Sequence, residues 1–181
     1  QAQDLTPFKD ANGKYGYKDK SGKIIVQPKY DYTWSFSKGL GRVKQNGKWG
    51  YIDSTGKVVV ELKYDDTGGF SEGLSRVIQN GKWGYIDKTG KMVVALKYDG
   101  AGGFSEGLAD VSLNKKCGFI DRSGKVVIPL IYDFAGSFSE GLAVVNIGGT
   151  GARGYVRGGK WGFIDKTGKE LIKLQYENAG S

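Results

Sequence analysis

Carboxylates recur at a fixed place in this sequence and could bind a metal ion. One aspartate opens each of five D-x-[ST]-G segments, and these are Asp19, Asp53, Asp87, Asp121 and Asp165. Calcium needs about six to eight oxygen ligands, whereas each segment supplies one carboxylate with a lysine after its glycine. Aspartate at the start of a turn accepts hydrogen bonds from the turn backbone. We therefore expect these aspartates to stabilise turns, and we predict no metal site.

Glutamates recur in the segment FSEG, and pairs of carboxylates catalyse glycoside hydrolysis. They are Glu72, Glu106 and Glu140. They occupy equivalent places one repeat apart, whereas catalytic carboxylates need different environments to separate their pKa values. The chain has no histidine that could activate its single cysteine, Cys117, as a nucleophile. The sequence contains no phosphate-binding loop or nucleophile elbow, so we predict neither enzymatic activity nor a cofactor.

Tryptophan precedes a glycine at equivalent places in the chain, at Trp49, Trp83 and Trp161. Exposed rings in a row could stack on sugars or bases, whereas buried rings would pack neighbouring repeats together. Cys117 takes this place in one copy, and cysteine behaves as a small buried hydrophobe. We therefore expect these positions to belong to the core.

Two rows of lysine follow the same repeat. One row begins a K-x-G segment at Lys14, Lys48, Lys82, Lys116 and Lys160. The other follows a turn glycine at Lys23, Lys57, Lys91, Lys125 and Lys169. The rows could bind an anionic polymer, or they could discourage edge-to-edge pairing of strands. The formal net charge of +8 favours an anionic partner, but specific nucleic-acid binding is not expected because no run of basic residues occurs.

A repeat positions all of these residues. The first three steps along the K-x-G row are 34 residues and the last is 44, and such periods indicate solenoids, propellers or arrays. Within one unit, LSRVIQ (74–79) and KWGYID (82–87) alternate like strands around an Asn-Gly turn. A third strand, KMVVALKYD (91–99), follows a turn closed by Gly90. The loop GAGGFSEG (100–107) leads onward, and a single turn at FSEG is the one helical candidate.

The predicted fold is all-β, with five tandem three-stranded antiparallel meanders in an open solenoid or superhelical array. The alternative is a closed ring of five propeller-like blades. A lone meander buries one face only, so it must pack against its neighbours. The strands are expected within 5–30, 40–64, 74–98, 108–132 and 142–176. Residues 1–181 are predicted to form a single repeat domain with repeats 5–39, 40–73, 74–107, 108–141 and 142–181 and an insertion at 147–158.

The repeated segments KWGYID-x-TGK, KYD and GGFSEGL resemble those of the bacterial WG-repeat (KWG-repeat) family. The resemblance extends through five copies and nearly the entire chain. It implies an exported or surface-associated β-repeat protein, and it implies no established reaction and no catalytic residue. The chain departs from the family pattern at Tyr15 and Cys117, which replace tryptophan, at Lys18, which replaces isoleucine, and in its 44-residue last step.

Cysteine content and termini bear on location. A single cysteine excludes an intramolecular disulfide and a zinc site of paired cysteines. No apolar run approaches the roughly 20 residues that span a bilayer. The polar start QAQDLTPF is compatible with a mature terminus left after signal-peptide removal. We expect an exported protein, in the periplasm, at the cell surface or secreted.

Residues that break the repeat are the candidates for a binding site. Trp34 stands where other copies have Gly68, Gly102 and Gly136. The insertion, NIGGTGARGYVRGG, lengthens a two-residue turn by ten residues and carries Arg153, Tyr155 and Arg157. Long loops often carry function, and arginine and tyrosine dominate binding hot spots. The alternatives are an insertion that the surface tolerates or a hairpin with two longer strands.

The predicted function is that of a non-enzymatic interaction module that binds a protein or an anionic cell-surface polymer such as a cell-wall polysaccharide. Trp34, Arg153, Tyr155 and Arg157 are the predicted binding residues. The alternative is a carbohydrate-binding module that uses exposed aromatic residues. Binding to a polyanion through lysine weakens steeply with salt, whereas binding to a neutral glycan should survive high salt.

Overall fold

The computed structural model describes residues 5–152 and 155–176, and every regular element in these ranges is a β-strand. The first sheet has β1 (Thr6–Lys9), β2 (Tyr15–Lys18) and β3 (Ile24–Tyr30). The second has β4 (Tyr32–Thr33), β5 (Leu40–Gln45), β6 (Lys48–Asp53) and β7 (Val58–Tyr64). The third has β8 (Asp66–Thr67), β9 (Leu74–Gln79), β10 (Lys82–Asp87) and β11 (Met92–Tyr98).

The second half of the chain continues this order. The fourth sheet has β12 (Gly100–Ala101), β13 (Leu108–Leu113), β14 (Lys116–Asp121) and β15 (Val126–Tyr132). The fifth has β16 (Phe134–Ala135), β17 (Leu142–Ile147), β20 (Lys160–Asp165) and β21 (Glu170–Tyr176). Two further strands, β18 (Thr150–Ala152) and β19 (Tyr155–Arg157), form a separate sheet within the insertion.

The five repeat sheets are antiparallel meanders with their strands in chain order, and none of them closes on itself in the described ranges. The predicted all-β array of five tandem repeats is therefore confirmed. Four sheets gain a two-residue strand where only a loop was expected. For example, Asp66 and Thr67 pair with Ile78 and Val77.

The turns form where their residue types predict them. Asn80 and Gly81 both have positive φ, at 52° and 75°, as a two-residue type I′ hairpin turn requires. Gly90 takes φ +87°, and its N–H donates to the Asp87 carbonyl at 3.0 Å. A residue with no Cβ adopts this left-handed conformation without steric cost.

The FSEG segment forms a hairpin turn rather than the expected helical turn. Ser105 and Leu108 exchange both backbone hydrogen bonds, at 2.9 and 3.1 Å. Between them Glu106 and Gly107 have φ values of 53° and 87°. Positive φ at both central residues is the type I′ geometry, so a glutamate occupies a place that usually favours asparagine or glycine.

Aromatic pairs pack between consecutive sheets. A ring from one sheet packs on the phenylalanine that precedes the first long strand of the next sheet at centroid distances of 4.8–4.9 Å, and the pairs are Tyr17–Phe36, Tyr51–Phe70, Tyr85–Phe104 and Phe119–Phe138. Such pairs add about 0.5–1.5 kcal/mol each beyond the area that they bury. The tyrosine hydroxyls of these pairs donate to backbone carbonyls; Tyr17 donates to Trp34 O at 2.7 Å, and Tyr85 donates to Gly102 O at 2.7 Å.

The described residues separate into two compact units. The first comprises those up to Asn80 together with Ile86–Met92, and the second comprises Gly81–Tyr85 together with those from Val93 onward. The single repeat domain of the sequence analysis stays a prediction. None of the described residues forms a helix with the length and apolar character needed to cross a bilayer.

Candidate functional site

The turn aspartates are engaged by their own turns. Asp87 Oδ1 accepts hydrogen bonds from the Thr89 N–H (2.8 Å), the Thr89 hydroxyl (2.6 Å) and the Lys91 N–H (3.1 Å). The hydroxyl contact is the main cause that lowers the pKa of Asp87 below its ordinary value. The same contacts recur at Asp19, Asp53, Asp121 and Asp165. The turn interpretation is confirmed, and no cluster of three metal-ligating side chains occurs in the described part of the chain.

The lysines that begin the second long strand of each repeat are ion-paired in four copies. The pairs are Lys14–Asp31 (2.6 Å), Lys48–Asp65 (2.5 Å), Lys82–Asp99 (2.6 Å) and Lys116–Asp133 (2.6 Å). The second oxygen of each aspartate accepts a backbone N–H from the adjacent hairpin turn, as Asp65 does from Asn80 at 2.8 Å. These four lysines are therefore neutralised by their own repeats. The lysines after the turn glycines are exposed in all five copies.

The repeated tryptophan position is core in two copies and half-buried in the other three, one of which has Tyr15 there. Trp49 is 8% exposed and Cys117 is 9% exposed, as predicted. Trp83 and Trp161 are half-buried. Trp49 also forms the inner wall of a surface cleft in the first unit, and this cleft contains the predicted residue Trp34.

The cleft has a volume of about 850 Å³. Its aromatic lining is Tyr32, Trp34 and Trp49, and its charged lining is Asp31, Arg42, Lys44, Asp65 and Asp66. Trp34 is 51% exposed and Tyr32 is 42% exposed. Exposed large rings on a surface of this kind are binding-site candidates.

A cation separates the two indoles of the cleft. The Arg42 guanidinium lies 4.4 Å from the centroid of Trp49 and 5.4 Å from that of Trp34. Its Nη2 pairs with Asp66 at 3.0 Å. Tyr32 lies edge-on to both indoles at centroid distances of 5.9 and 6.0 Å. Stacking on arginine and ring-edge contacts hold Trp34 in place although half of it faces solvent.

The glycines at the equivalent place in other repeats explain why the cleft forms at Trp34. A Cβ on Gly68 would lie 2.8 Å from Arg76 Cγ, and one on Gly136 would lie 2.8 Å from Val144 Cγ1. A Cβ on Gly102 would overlap the Asp110 carboxylate. In each of those repeats one side chain of the first long strand lies over the glycine; it is Arg76, Asp110 or Val144. With tryptophan at this place, Arg42 instead lies between the rings.

The charges of the cleft are balanced locally. Asp31 pairs with Lys14, Asp65 with Lys48 and Asp66 with Arg42. The hydrogen bond from Lys14 lowers the pKa of Asp31, and that from Lys48 lowers the pKa of Asp65. Lys44 is the remaining charge of the lining. The cleft therefore combines exposed rings with paired hydrogen-bonding groups and carries little net charge.

A smaller pocket adjoins the cleft, because Trp34 and Arg42 line both. Its volume is about 190 Å³. The other lining residues are Ser35, Ser37, Leu40, Tyr51, Gly69 and Phe70. Leu40 and Phe70 are buried, so the pocket has an apolar inner surface beside two serine hydroxyls.

The insertion forms a short hairpin of its own in the second unit. β18 and β19 pair Thr150 with Arg157 and Ala152 with Tyr155. The buried Asn146 side chain closes its base by accepting from the Gly149 N–H (3.0 Å) and donating to the Gly158 carbonyl (3.1 Å). The expected alternative of two longer strands is therefore corrected, because glycines interrupt the pairing at this base.

The predicted site residues fall in different parts of the molecule. Trp34 belongs to the first unit, Tyr155 begins β19 in the second, and Arg157 is exposed at the end of β19. Arg153 lies outside the described residues. Tyr32, Arg42 and Lys44 also line the cleft and were not predicted as site residues. The repeat gives no signal for them, because every copy has a different residue at the places of Tyr32 and Lys44, and Arg42 recurs as Arg76.

Comparisons with known proteins give a family match and a fold match. A family model described as "WG containing repeat" matches residues 15–49, 49–83, 83–117, 118–150 and 161–181. The comparison with curated proteins found no match. A crystal structure of the eukaryotic initiation factor is similar at a TM-score of 0.61 and 11% identity, over 99% of this chain and 54% of that chain. At this identity the likeness concerns the fold alone.

A second solved structure is the extracellular domain of a putative hybrid two-component system from B. thetaiotaomicron. It matches at a TM-score of 0.43 and 13% identity, over 94% of this chain and 28% of that chain. The chain thus spans about half the length of the initiation-factor chain and just over a quarter of the extracellular-domain chain.

Proposed function

The chain belongs to the WG-repeat family, and from this premise we propose that it is a non-enzymatic module of an exported or surface-associated protein that binds a carbohydrate polymer in the cleft at Trp34. The observation that carries the proposal is the pair of half-exposed rings, Tyr32 and Trp34, beside paired charged groups. The proposal selects the carbohydrate alternative of the sequence analysis.

Ring chemistry supports a sugar ligand. The C–H face of a pyranose ring is apolar and packs on an aromatic face, while its hydroxyls need hydrogen-bond donors and acceptors. Trp34 and Tyr32 supply the faces, and Arg42 with Asp66 supplies donors and acceptors at the same wall. Because the carboxylates already have cation partners, an uncharged ligand meets no large unbalanced charge.

A binding role without catalysis is supported by the state of the carboxylates. Every shift resolved for an aspartate or glutamate in the described ranges is a lowering of the pKa, as at Asp87 and Glu106. A general acid for glycoside cleavage needs a raised pKa. These side chains are held ionised by turn hydrogen bonds and lysines, which suits a structural role.

The second candidate is an anionic cell-surface polymer or a protein, as the sequence analysis predicted. The exposed lysines after the turn glycines and the net charge of +8 favour it. The ion-paired state of Lys14, Lys48, Lys82 and Lys116 reduces the basic surface on which it depends. It ranks second for that reason.

The test is binding to insoluble neutral and acidic polysaccharides at low salt and at ~0.5 M salt. The key variant is Trp34→Gly, because three other repeats carry glycine at this place and fold with it. The control is Ile131→Ala, which removes an exposed apolar side chain, 52% exposed, in the other unit. A stacked ring contributes roughly 1–3 kcal/mol where aromatic side chains bind bases, so Trp34→Gly should weaken glycan binding by about 5- to 150-fold.

The outcomes separate the two candidates. Salt-resistant binding to a neutral glycan that Trp34→Gly loses and Ile131→Ala keeps would support the carbohydrate proposal. Binding limited to acidic polymers, lost at high salt and unchanged in Trp34→Gly, would overturn it in favour of the second candidate. A variant with residues 147–158 cut to a short turn then tests whether the insertion carries that binding.

A further inference from the structure

The small pocket beside the cleft suggests which sugars bind. Resting on the proposed function, we infer that the cleft selects N-acetylated sugars and that the acetamido group enters the pocket lined by Ser35, Ser37 and Phe70. The sugar ring lies on Trp34 and Tyr32. Trp34 and Arg42 line both spaces, so a ring in the cleft and its substituent in the pocket are neighbours.

The volume of the pocket leaves room for a substituent of the sugar. A water-sized group fills roughly 30 Å³, so the four non-hydrogen atoms of an acetamido group fill roughly 120 Å³ on the same scale. The pocket offers about 190 Å³. A pyranose with its hydroxyls has about three times as many atoms, and the exposed rings that can stack on it lie in the larger cleft.

The polar atoms around the pocket match an amide. Arg42 Nε is buried and has no hydrogen-bond partner among the described residues. A buried donor without an acceptor is unfavourable, and an amide carbonyl in the pocket would satisfy it once a shift of the Arg42 side chain turns Nε towards the pocket. Ser35 and Ser37 are exposed and line the same pocket, so their hydroxyls can also bond to an amide. The counterpart of Ser37, Ser105, donates to the Phe138 carbonyl at 2.8 Å, so its hydroxyl is already used.

The inner surface of the pocket is apolar and suits the methyl group of the acetamido substituent. Leu40 and Phe70 are buried at the pocket, and a methyl group gains from leaving water there. A free amine or a hydroxyl at the same carbon of the sugar gives neither the carbonyl acceptor nor the methyl contact. A site whose buried polar groups are left unpaired rejects such an analogue strongly.

The experiment compares chitin, cellulose and chitosan, which share a β-linked glucan backbone and differ in the substituent at one carbon. Isothermal titration with the matching soluble oligosaccharides gives the dissociation constants. We expect at least tenfold tighter binding to the N-acetylated oligosaccharide than to the other two.

Two variants address the pocket, and the first of them makes no change at the rings or at Arg42. Gly69→Leu adds a side chain at the pocket wall, where a Cβ meets nothing within 4 Å. Its matched control is Gly103→Leu, at the equivalent place in another repeat, where a Cβ also meets nothing within 4 Å. Arg42→Lys keeps the positive charge and removes the Nε donor, and Arg76→Lys is its control.

The results discriminate between this inference and the proposed function. Gly69→Leu and Arg42→Lys should lower binding to the N-acetylated sugar to the level of the glucose oligomer, with the controls unchanged. Equal binding of all three sugars by the unmodified protein, or a preference that survives Gly69→Leu, overturns the acetamido pocket while carbohydrate binding stands. Absence of binding to any of the three, with Trp34→Gly no different from the unmodified protein, overturns both.

Discussion

Replacing Gly50 with alanine should loosen the second sheet. Gly50 follows Trp49 in β6 and faces β7 where the pairing register shifts, because Trp49 pairs with Tyr64 whereas Tyr51 pairs with Val60. A Cβ at Gly50 would overlap the Val60 carbonyl oxygen and lie 2.9 Å from the carbonyl carbon and oxygen of Glu61. Backbone atoms cannot move aside by changing rotamer, so β6 and β7 would have to separate.

The magnitude follows from the overlap and from the pairing that it disturbs. Overpacking costs about 1–3 kcal/mol, and a weakened interstrand hydrogen bond adds about 1 kcal/mol. We expect the free energy of unfolding to fall by about 2–4 kcal/mol. At roughly 2–4 °C per kcal/mol for a chain of this size, Tm should fall by about 4–16 °C.

The assay is urea and thermal unfolding followed by tryptophan fluorescence, with hydrogen exchange of the β6 and β7 amides as a local readout. The control is Gly69→Ala in the same unit, where a Cβ meets nothing within 4 Å. Alanine there should be neutral or stabilising by about 0.4–1 kcal/mol, because it restricts the unfolded chain. If Gly50→Ala unfolds within about 0.5 kcal/mol of the unmodified protein, close backbone approach is not why glycine follows this tryptophan.

Three further predictions concern the turns and the insertion. The turn aspartates have lower pKa values in the folded protein than in the unfolded chain, where the value is ~4. Their ionised form therefore stabilises the fold above that pH, and this contribution is lost as pH falls through the pKa values of the folded state. Tm should therefore hold from pH ~7 to ~5 and fall below pH ~4; a fall already above pH ~5 would contradict this. Glu140→Asn places the favoured Asn-Gly pair at a residue with φ 52° and should raise stability by up to about 1 kcal/mol in urea unfolding; a loss would refute the strain argument. Asn146→Ala removes both contacts at the base of the insertion and should cost about 1–3 kcal/mol, with faster exchange at the Gly149 amide; unchanged exchange would contradict it.

Local chemistry made much of the fold predictable from sequence. The Asn-Gly turn at Asn80 and the glycine turn at Gly90 appear where their residue types require them, and the two strands joined by the first turn, β9 and β10, have the predicted bounds. The hydrogen bonds of Asp87 lie within four residues of it. Such features depend on neighbours in the chain, so a pattern of residue types is enough to predict them.

The pattern of residue types did not predict contacts between residues that are far apart in the sequence. Four of the five lysines of the K-x-G row pair with an aspartate 17 residues away, as Lys48 does with Asp65, and this neutralises most of a row that the sequence presents as open to anions. The two-residue strand Asp66–Thr67 exists because it borders β9. Its sequence alone carries no strand signal.

The candidate site shows the same division. The repeat by itself determined the all-β fold, the turn role of the aspartates and the exceptional place of Trp34, because each follows from residue type and position along the chain. Only the tertiary structure placed Arg42 between Trp34 and Trp49 and opened a pocket beside them. The physical reason is that a cleft is empty space between side chains of different strands, and its shape depends on how those strands pack.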